Sequence, residues 1–155
     1  MAALDNKEKP MHITRYTDYS LRVLMYVALK GEEISTIGEI AESYAISKNH
    51  LMKVVQELNA KGYLIAVRGK NGGLRLNGRA EDINIGGLVR DTEQDLAIVE
   101  CFTGAQGCTI TPACHLKSVF AAALEAFFNV LDQYTLADLL PKQKQPVLIK
   151  LLGIS

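Results

Sequence analysis

The chain has no tryptophan, only four prolines and three histidines, and no long hydrophobic run among its 155 residues. Its longest apolar stretch, Val23 to Leu29, is closed off by Arg22 and Lys30. That is far short of the roughly 20 residues that cross a bilayer, so a soluble, cytoplasmic protein is expected. Met1 to Pro10 is polar and lysine-rich with no apolar centre, so no signal peptide is expected and the stretch reads as a disordered leader or an alternative start ahead of Met11. Catalytic patterns are missing as well. There is no nucleophile–base pair, no phosphate-binding glycine motif opening a helix after a strand, and no paired acid/base carboxylates, so an enzyme is not expected.

Net charge is absent too, with 17 basic and 17 acidic residues, but that balance hides a division. From Lys48 to Arg79 seven Lys/Arg face one carboxylate, Glu57; from Glu81 to Glu100 six carboxylates face Arg90 alone. A local basic block on a neutral chain is the electrostatic form of a nucleic-acid face.

Cysteine is scarce but concentrated. All three lie between residues 101 and 114, as C-x₆-C-x₅-C, with glycines and small polar residues that let the backbone fold back on itself. Thr111-Pro112 reads as a helix start, which would put Cys114 in a first turn, where the helix dipole favours a thiolate. An odd count without a signal peptide argues against a disulfide framework. Inert thiols, zinc and an iron–sulfur cluster remain open. Cys₃His zinc ligation through His115 is awkward, because adjacent helical residues point about 100° apart. Clusters are held chiefly by thiolates, so an iron–sulfur centre is favoured, with its last ligand from elsewhere.

In order, Thr14 to Leu29 carries Leu21, Leu24, Met25 and Ala28 at helical spacing, with Thr14 as cap and Gly31 as stop. Asp18 sits in the first turn, well placed against the helix dipole. Ser35 to Tyr63 reads as two helices around a tight turn. The second starts at Ser47, an N-cap hydroxyl, runs to Ala60, buries Leu51, Val54, Val55 and Leu58, and shows Lys48, Asn49, Met52, Lys53 and Gln56 on its opposite face, as a helix entering a major groove would. Two short apolar runs, Leu64 to Val67 and Leu74 to Leu76, flank Arg68-Gly69-Lys70-Asn71-Gly72-Gly73. There Asn-Gly predicts a tight hairpin and Arg68 and Lys70 make a cationic wing. The fold class is therefore mostly α with a small β-hairpin wing: a winged helix-turn-helix domain plus a long dimerisation helix. Its organisation is a leader 1–10, a DNA-binding domain 11–80, a cysteine loop and dimerisation helix 81–140, and a loosely placed tail 141–155. Ile83 to Val89 reads as a brief strand entering a short helix. The long helix, Pro112 to about Gln133, carries Leu116, Val119, Phe120, Leu124, Phe127 and Val130 three or four apart, more than one small domain can cover.

Four stretches carry a resemblance: HITRYTDYSLR (12–22), ISKNHLMKV (46–54), AVRGKNGGLRL (66–76) and ITPACHLK (110–117). With them the chain resembles the iron–sulfur winged-helix regulators that include the NsrR and IscR types, and the NsrR type most, from Met11 to about Leu140. The resemblance implies a dimeric transcriptional repressor of double-stranded operator DNA, responsive to nitric oxide. It implies a cluster, 4Fe–4S or else 2Fe–2S, held by Cys101, Cys108 and Cys114, with Asp18 of the partner subunit as an oxygen ligand. The IscR type uses a histidine three residues after its third cysteine; here that residue is Lys117, so the pattern is not met. On the DNA side Ser47, Lys48, Asn49, His50, Lys53, Gln56, Arg68, Lys70 and Asn71 are the expected contacts. Loss of the bridge between cysteine loop and partner would let two recognition helices change spacing and release the operator. The alternatives are a redox-status regulator of the IscR type, a zinc-binding winged-helix regulator, and a ferredoxin-like carrier, which would need no basic helix-turn-helix.

Overall fold

A computed structural model describes residues 12–103 and 108–155. The 1–10 leader lies outside them. Six helices and one hairpin follow in order: α1 (Arg15–Lys30), α2 (Ile37–Tyr44), α3 (Lys48–Ala60), β1 (Leu64–Val67), β2 (Gly73–Leu76), α4 (Ile85–Thr92), α5 (His115–Leu131) and α6 (Gln145–Leu151).

Local chemistry starts and stops the first three. Thr14 accepts the Thr17 amide at the head of α1, and Gly31, at φ 63°, ends it. Thr36 Oγ1 accepts the Glu39 amide while donating to the Glu39 carboxylate, a capping arrangement that opens α2. Ala45 then turns left-handed, at φ 53°. This bend sets α3 across α1 and α2, and Val23, Leu24, Val27, Ile40, Leu51 and Leu58 meet with no exposed surface.

β1 and β2 pair antiparallel from Leu64↔Leu76 to Val67↔Gly73. The sheet gains a third partner through Ser35, whose amide donates to Leu74 O (3.0 Å) and whose carbonyl accepts Leu74 N (2.7 Å). The wing is thereby tied to the segment that leads into α2. Its turn differs from the Asn-Gly expectation. The positive φ falls on Gly69, at 112°, and the turn closes from Gly72 N–H to Gly69 O at 3.0 Å, with neither Asn71 nor Gly72 at positive φ. Five loop residues give room for this longer closure.

Beyond the wing, the brief strand expected at Ile83 shrinks to one bridge pair, Asn84↔Thr135. Ile85 N–H donates to Tyr134 O and Leu136 N–H to Ile83 O, so the chain returning from α5 plants Leu136 in the core. Arg90 of α4 forks onto Asp132 just after α5 (2.6 and 2.9 Å) and lies 4.2 Å over the Phe128 ring. Charge pairing and stacking together fasten α5 to α4.

Two further expectations need correction. The long helix begins at His115, not Pro112: Thr111–Ala113 is a 3₁₀ turn, closed by Ala113 N–H to Ile110 O and Cys114 N–H to Thr111 O. Cys114 therefore stands extended at the cap position (φ −82°, ψ 115°), outside the first turn. The 141–155 segment is not loosely placed. It forms α6, with Pro146 near the start, where a missing N–H does no harm; Leu152 and Ile154 pack on the core, and Ser43 Oγ donates to Leu152 O at 2.6 Å. No helix among the described residues is long and apolar enough to cross a membrane.

Candidate functional site

α3 buries Leu51, Val54, Val55 and Leu58, and this packing orients its other side outward. Ser47, Lys48, Asn49, His50, Lys53 and Gln56 are all exposed there. The hydroxyl cap expected of Ser47 is not formed: the residue holds the cap position of α3 without a side-chain cap bond. Arg68, Lys70 and Asn71 are exposed at the wing turn. Among the described residues Lys48, Lys53, Arg68 and Lys70 have no ion-pair partner, whereas Arg79 is drawn toward Glu81 and Asp82. Four uncompensated cations on α3 and the neighbouring hairpin turn are suited to phosphates.

The cysteines occupy the connection between α4 and α5. Cys101 is half-buried in a 3₁₀ turn, Glu100–Thr103; Cys108 is exposed; Cys114 is half-buried at the head of α5. Thr111 draws the last two together in sequence, donating to Cys108 O through its amide (3.3 Å) and its hydroxyl (2.9 Å) and accepting Cys114 N–H. All three thiols are free. Among the described residues no three His, Cys, Asp or Glu side chains are gathered as a metal site, so the three cysteines are not preassembled within one chain. Asp18 stands elsewhere, on α1, in a two-pronged pair with Arg22 (2.8 and 3.2 Å). His115 Nδ1 lies 3.1 Å from Ser118 Oγ on its own helix. As a donor set, three soft thiols in a short loop fit an iron–sulfur cluster or zinc and do not fit an oxygen-seeking cation.

The sequence reading missed the link between these two regions. Glu93, just past α4, accepts from the Thr14 amide (2.7 Å), the Thr14 hydroxyl (3.0 Å) and the Thr17 hydroxyl (2.6 Å) with one carboxylate oxygen. Buried Thr17 also meets buried Thr92 at 2.9 Å. A carboxylate here complements the positive end of α1. Tyr63, at the start of the wing, donates to Asp91; burial and that carboxylate push its phenol well above the ordinary value. Glu93 also borders a cleft of about 550 Å³ shared with Thr14, Tyr19, His50, Lys53 and Glu57. The chain that enters the cysteine loop is thus bonded to the first helix and lines a cleft with α3. Its only sequence signal is a Thr-Glu pair ending α4, since the partners lie 76 and 79 positions apart.

Comparison with known proteins agrees with this architecture. Residues 13–142 match the Rrf2 family, described as an iron-dependent transcriptional regulator. The chain is 53% identical over 135 residues to the HTH-type transcriptional regulator NsrR of Bacillus licheniformis, covering 86% of this chain and 94% of that protein. It is also 53% identical over 140 residues to NsrR of Bacillus subtilis, covering 89% and 95%. Among solved structures, CymR, the global cysteine regulator of B. subtilis, superposes with a TM-score of 0.68 at 25% identity, over 83% of this chain and 95% of that one. T. potens IscR does so with 0.68 at 25% identity, over 84% and 87%. A family match over residues 13–142 and 53% identity over more than four-fifths of the chain lead to one conclusion: the chain belongs to the Rrf2 family and is a transcriptional regulator similar to NsrR, not an enzyme.

Proposed function

We propose that this regulator is a homodimeric, cytoplasmic repressor of operator DNA that senses nitric oxide through an iron–sulfur cluster, with cluster damage releasing the DNA. The observation that carries the reading is the confinement of every cysteine, all free, to the one loop joining α4 to α5. Residues 11–80 read DNA and residues 81–140 hold the cluster and the dimer. Ser47, Lys48, Asn49, His50, Lys53 and Gln56 enter the major groove, while Arg68, Lys70 and Asn71 reach the flanking backbone or minor groove. α5 supplies the dimer contact, because Leu116, Val119, Phe127 and Val130 stand 58, 49, 46 and 55% exposed, too much apolar surface to leave in water.

Cys101, Cys108 and Cys114 would hold the cluster, with Asp18 of the partner subunit as the oxygen ligand. Bound there, the cluster would supply iron at which nitric oxide reacts. Asp18 is half-exposed and accepts one Arg22 N–H on each oxygen, so a bond to the cluster would share the carboxylate with that ion pair or replace it. Glu93 carries the position of the loop to α1 through Thr14 and Thr17, and Lys53 of α3 borders the same cleft.

Anaerobic purification tests this. The expected protein is brown, loses colour in each of Cys101→Ala, Cys108→Ala and Cys114→Ala, and shifts its own promoter fragment until nitric oxide is added. A colourless protein carrying zinc, or DNA binding indifferent to nitric oxide, overturns it.

A further inference from the structure

We infer that Met52 is a specificity-determining residue that reads the C5-methyl group of a thymine in the operator, an inference that rests on the DNA-reading role proposed for α3. Among the described residues of α1, α2 and α3, Met52 is the one large apolar side chain left exposed, at 50%. It is not part of the core stripe, which Leu51, Val54, Val55 and Leu58 complete without it. Half of this thioether's surface stays in water, an apolar area that its own chain leaves uncovered.

Its neighbours show what it is for. Asn49 lies three positions before Met52 and Gln56 four after, so all three share one side of the helix, within roughly 60° of one another. Both amides are exposed and can bond adenine N6 and N7 in two places. A thioether sulfur is a poor hydrogen-bond partner, so among these groups Met52 can contribute only apolar contact. The major groove offers one apolar group, the thymine methyl. Methionine suits it, being unbranched, polarizable and able to adjust over three rotatable bonds. A protein partner is the rival occupant, but the exposed side chains next to Met52 on α3 are the cations Lys48 and Lys53 and the amides Asn49 and Gln56, a rim suited to nucleic acid rather than an apolar docking patch.

The test uses the intact protein with its cofactor state held constant. A binding site is first selected by the protein from a random duplex pool. Each thymine of a half-site is then replaced in turn by deoxyuridine, which lacks only the methyl group. Dissociation constants are measured by fluorescence anisotropy for the parent, Met52→Ala and Met52→Leu. At one thymine per half-site the parent should bind about fourfold more weakly, the worth of one buried methyl. Met52→Ala should show no further loss at that position and unchanged affinity for an unrelated duplex, whereas Met52→Leu should keep most of the penalty. Absence of any deoxyuridine penalty in the parent, or a penalty of equal size in Met52→Ala, overturns the assignment while leaving DNA reading intact. Failure to enrich any site removes the DNA-reading role and this inference with it.

Discussion

Gly73→Ala probes the join between wing and body. A Cβ there would lie 2.3 Å from the Ser35 carbonyl oxygen and 2.5 Å from Ile34 Cγ2. Such pairs rest at roughly 3.3–3.8 Å, so β2 must back away from Ser35 by about 1 Å. The backbone angle at Gly73 is not left-handed, which makes the conflict purely one of space. Moving β2 gives up the two bonds between Ser35 and Leu74, at 3.0 and 2.7 Å, and Ser35 is fully buried. Each is worth roughly 0.5–1.5 kcal/mol net, so about 1–3 kcal/mol is lost, while the stiffer unfolded chain returns about 0.4–1 kcal/mol. At the midpoints of these ranges the expected net destabilisation is about 1.3 kcal/mol, a drop in Tm of about 3–5 °C for a chain of this size. Thermal denaturation by circular dichroism reads the total, and amide exchange at Leu74 reads the bond itself. Operator affinity should fall as well, because Arg68 and Lys70 ride on the displaced hairpin. Gly69→Ala is the contrast, strained by its φ of 112° but meeting no atom within 4 Å, and should leave Leu74 protected. A Gly73→Ala protein with parental Tm and a slow-exchanging Leu74 amide would refute the argument.

Three further outcomes are expected. Thr17→Val removes a buried donor to the Glu93 carboxylate (2.6 Å) and should cost about 1–2 kcal/mol by urea denaturation, since bonds to charged groups are worth roughly 1.5–3 and the added methyl recovers part; unaltered stability would mean that the link between α1 and α4 carries no load. The Glu39 carboxyl is opposed by burial, yet hydrogen bonds from Lys30 and Thr36 outweigh this and hold its pKa below the ordinary value. Its contribution is therefore complete above the unfolded-state value of about 4.3 and disappears as pH falls through the lower folded value, so the Tm gap between parent and Glu39→Gln should close on acidification below pH ~4.5. A gap that stays constant or widens there contradicts this. Lys53→Ala should lower the magnitude of the log–log salt slope of DNA binding by about one and weaken all duplexes alike, and an unchanged slope would show that Lys53 touches no phosphate.

What could be read from the residue order is what depends on neighbours within a few positions. The cap at Thr14, the buried stripe of Leu51, Val54, Val55 and Leu58, the apolar runs of the hairpin and the clustering of Cys101, Cys108 and Cys114 are all of this kind. The excess of apolar surface on α5 was likewise legible, and the structure leaves Phe128 as its one buried residue. Tertiary structure decided the rest. The Pro112 turn closed as 3₁₀ and moved Cys114 to a cap, where the sequence pattern alone suggested a continuous helix. Glu93 found Thr17 across 76 positions, and Ser43 found Leu152 across 109. Gly73 is required by a carbonyl contributed from before α2, not by its own turn. Such partners leave no periodic trace, because a single hydrogen bond or a missing Cβ constrains one position and repeats nowhere. They exist only once the core has brought distant segments of the chain to the same place.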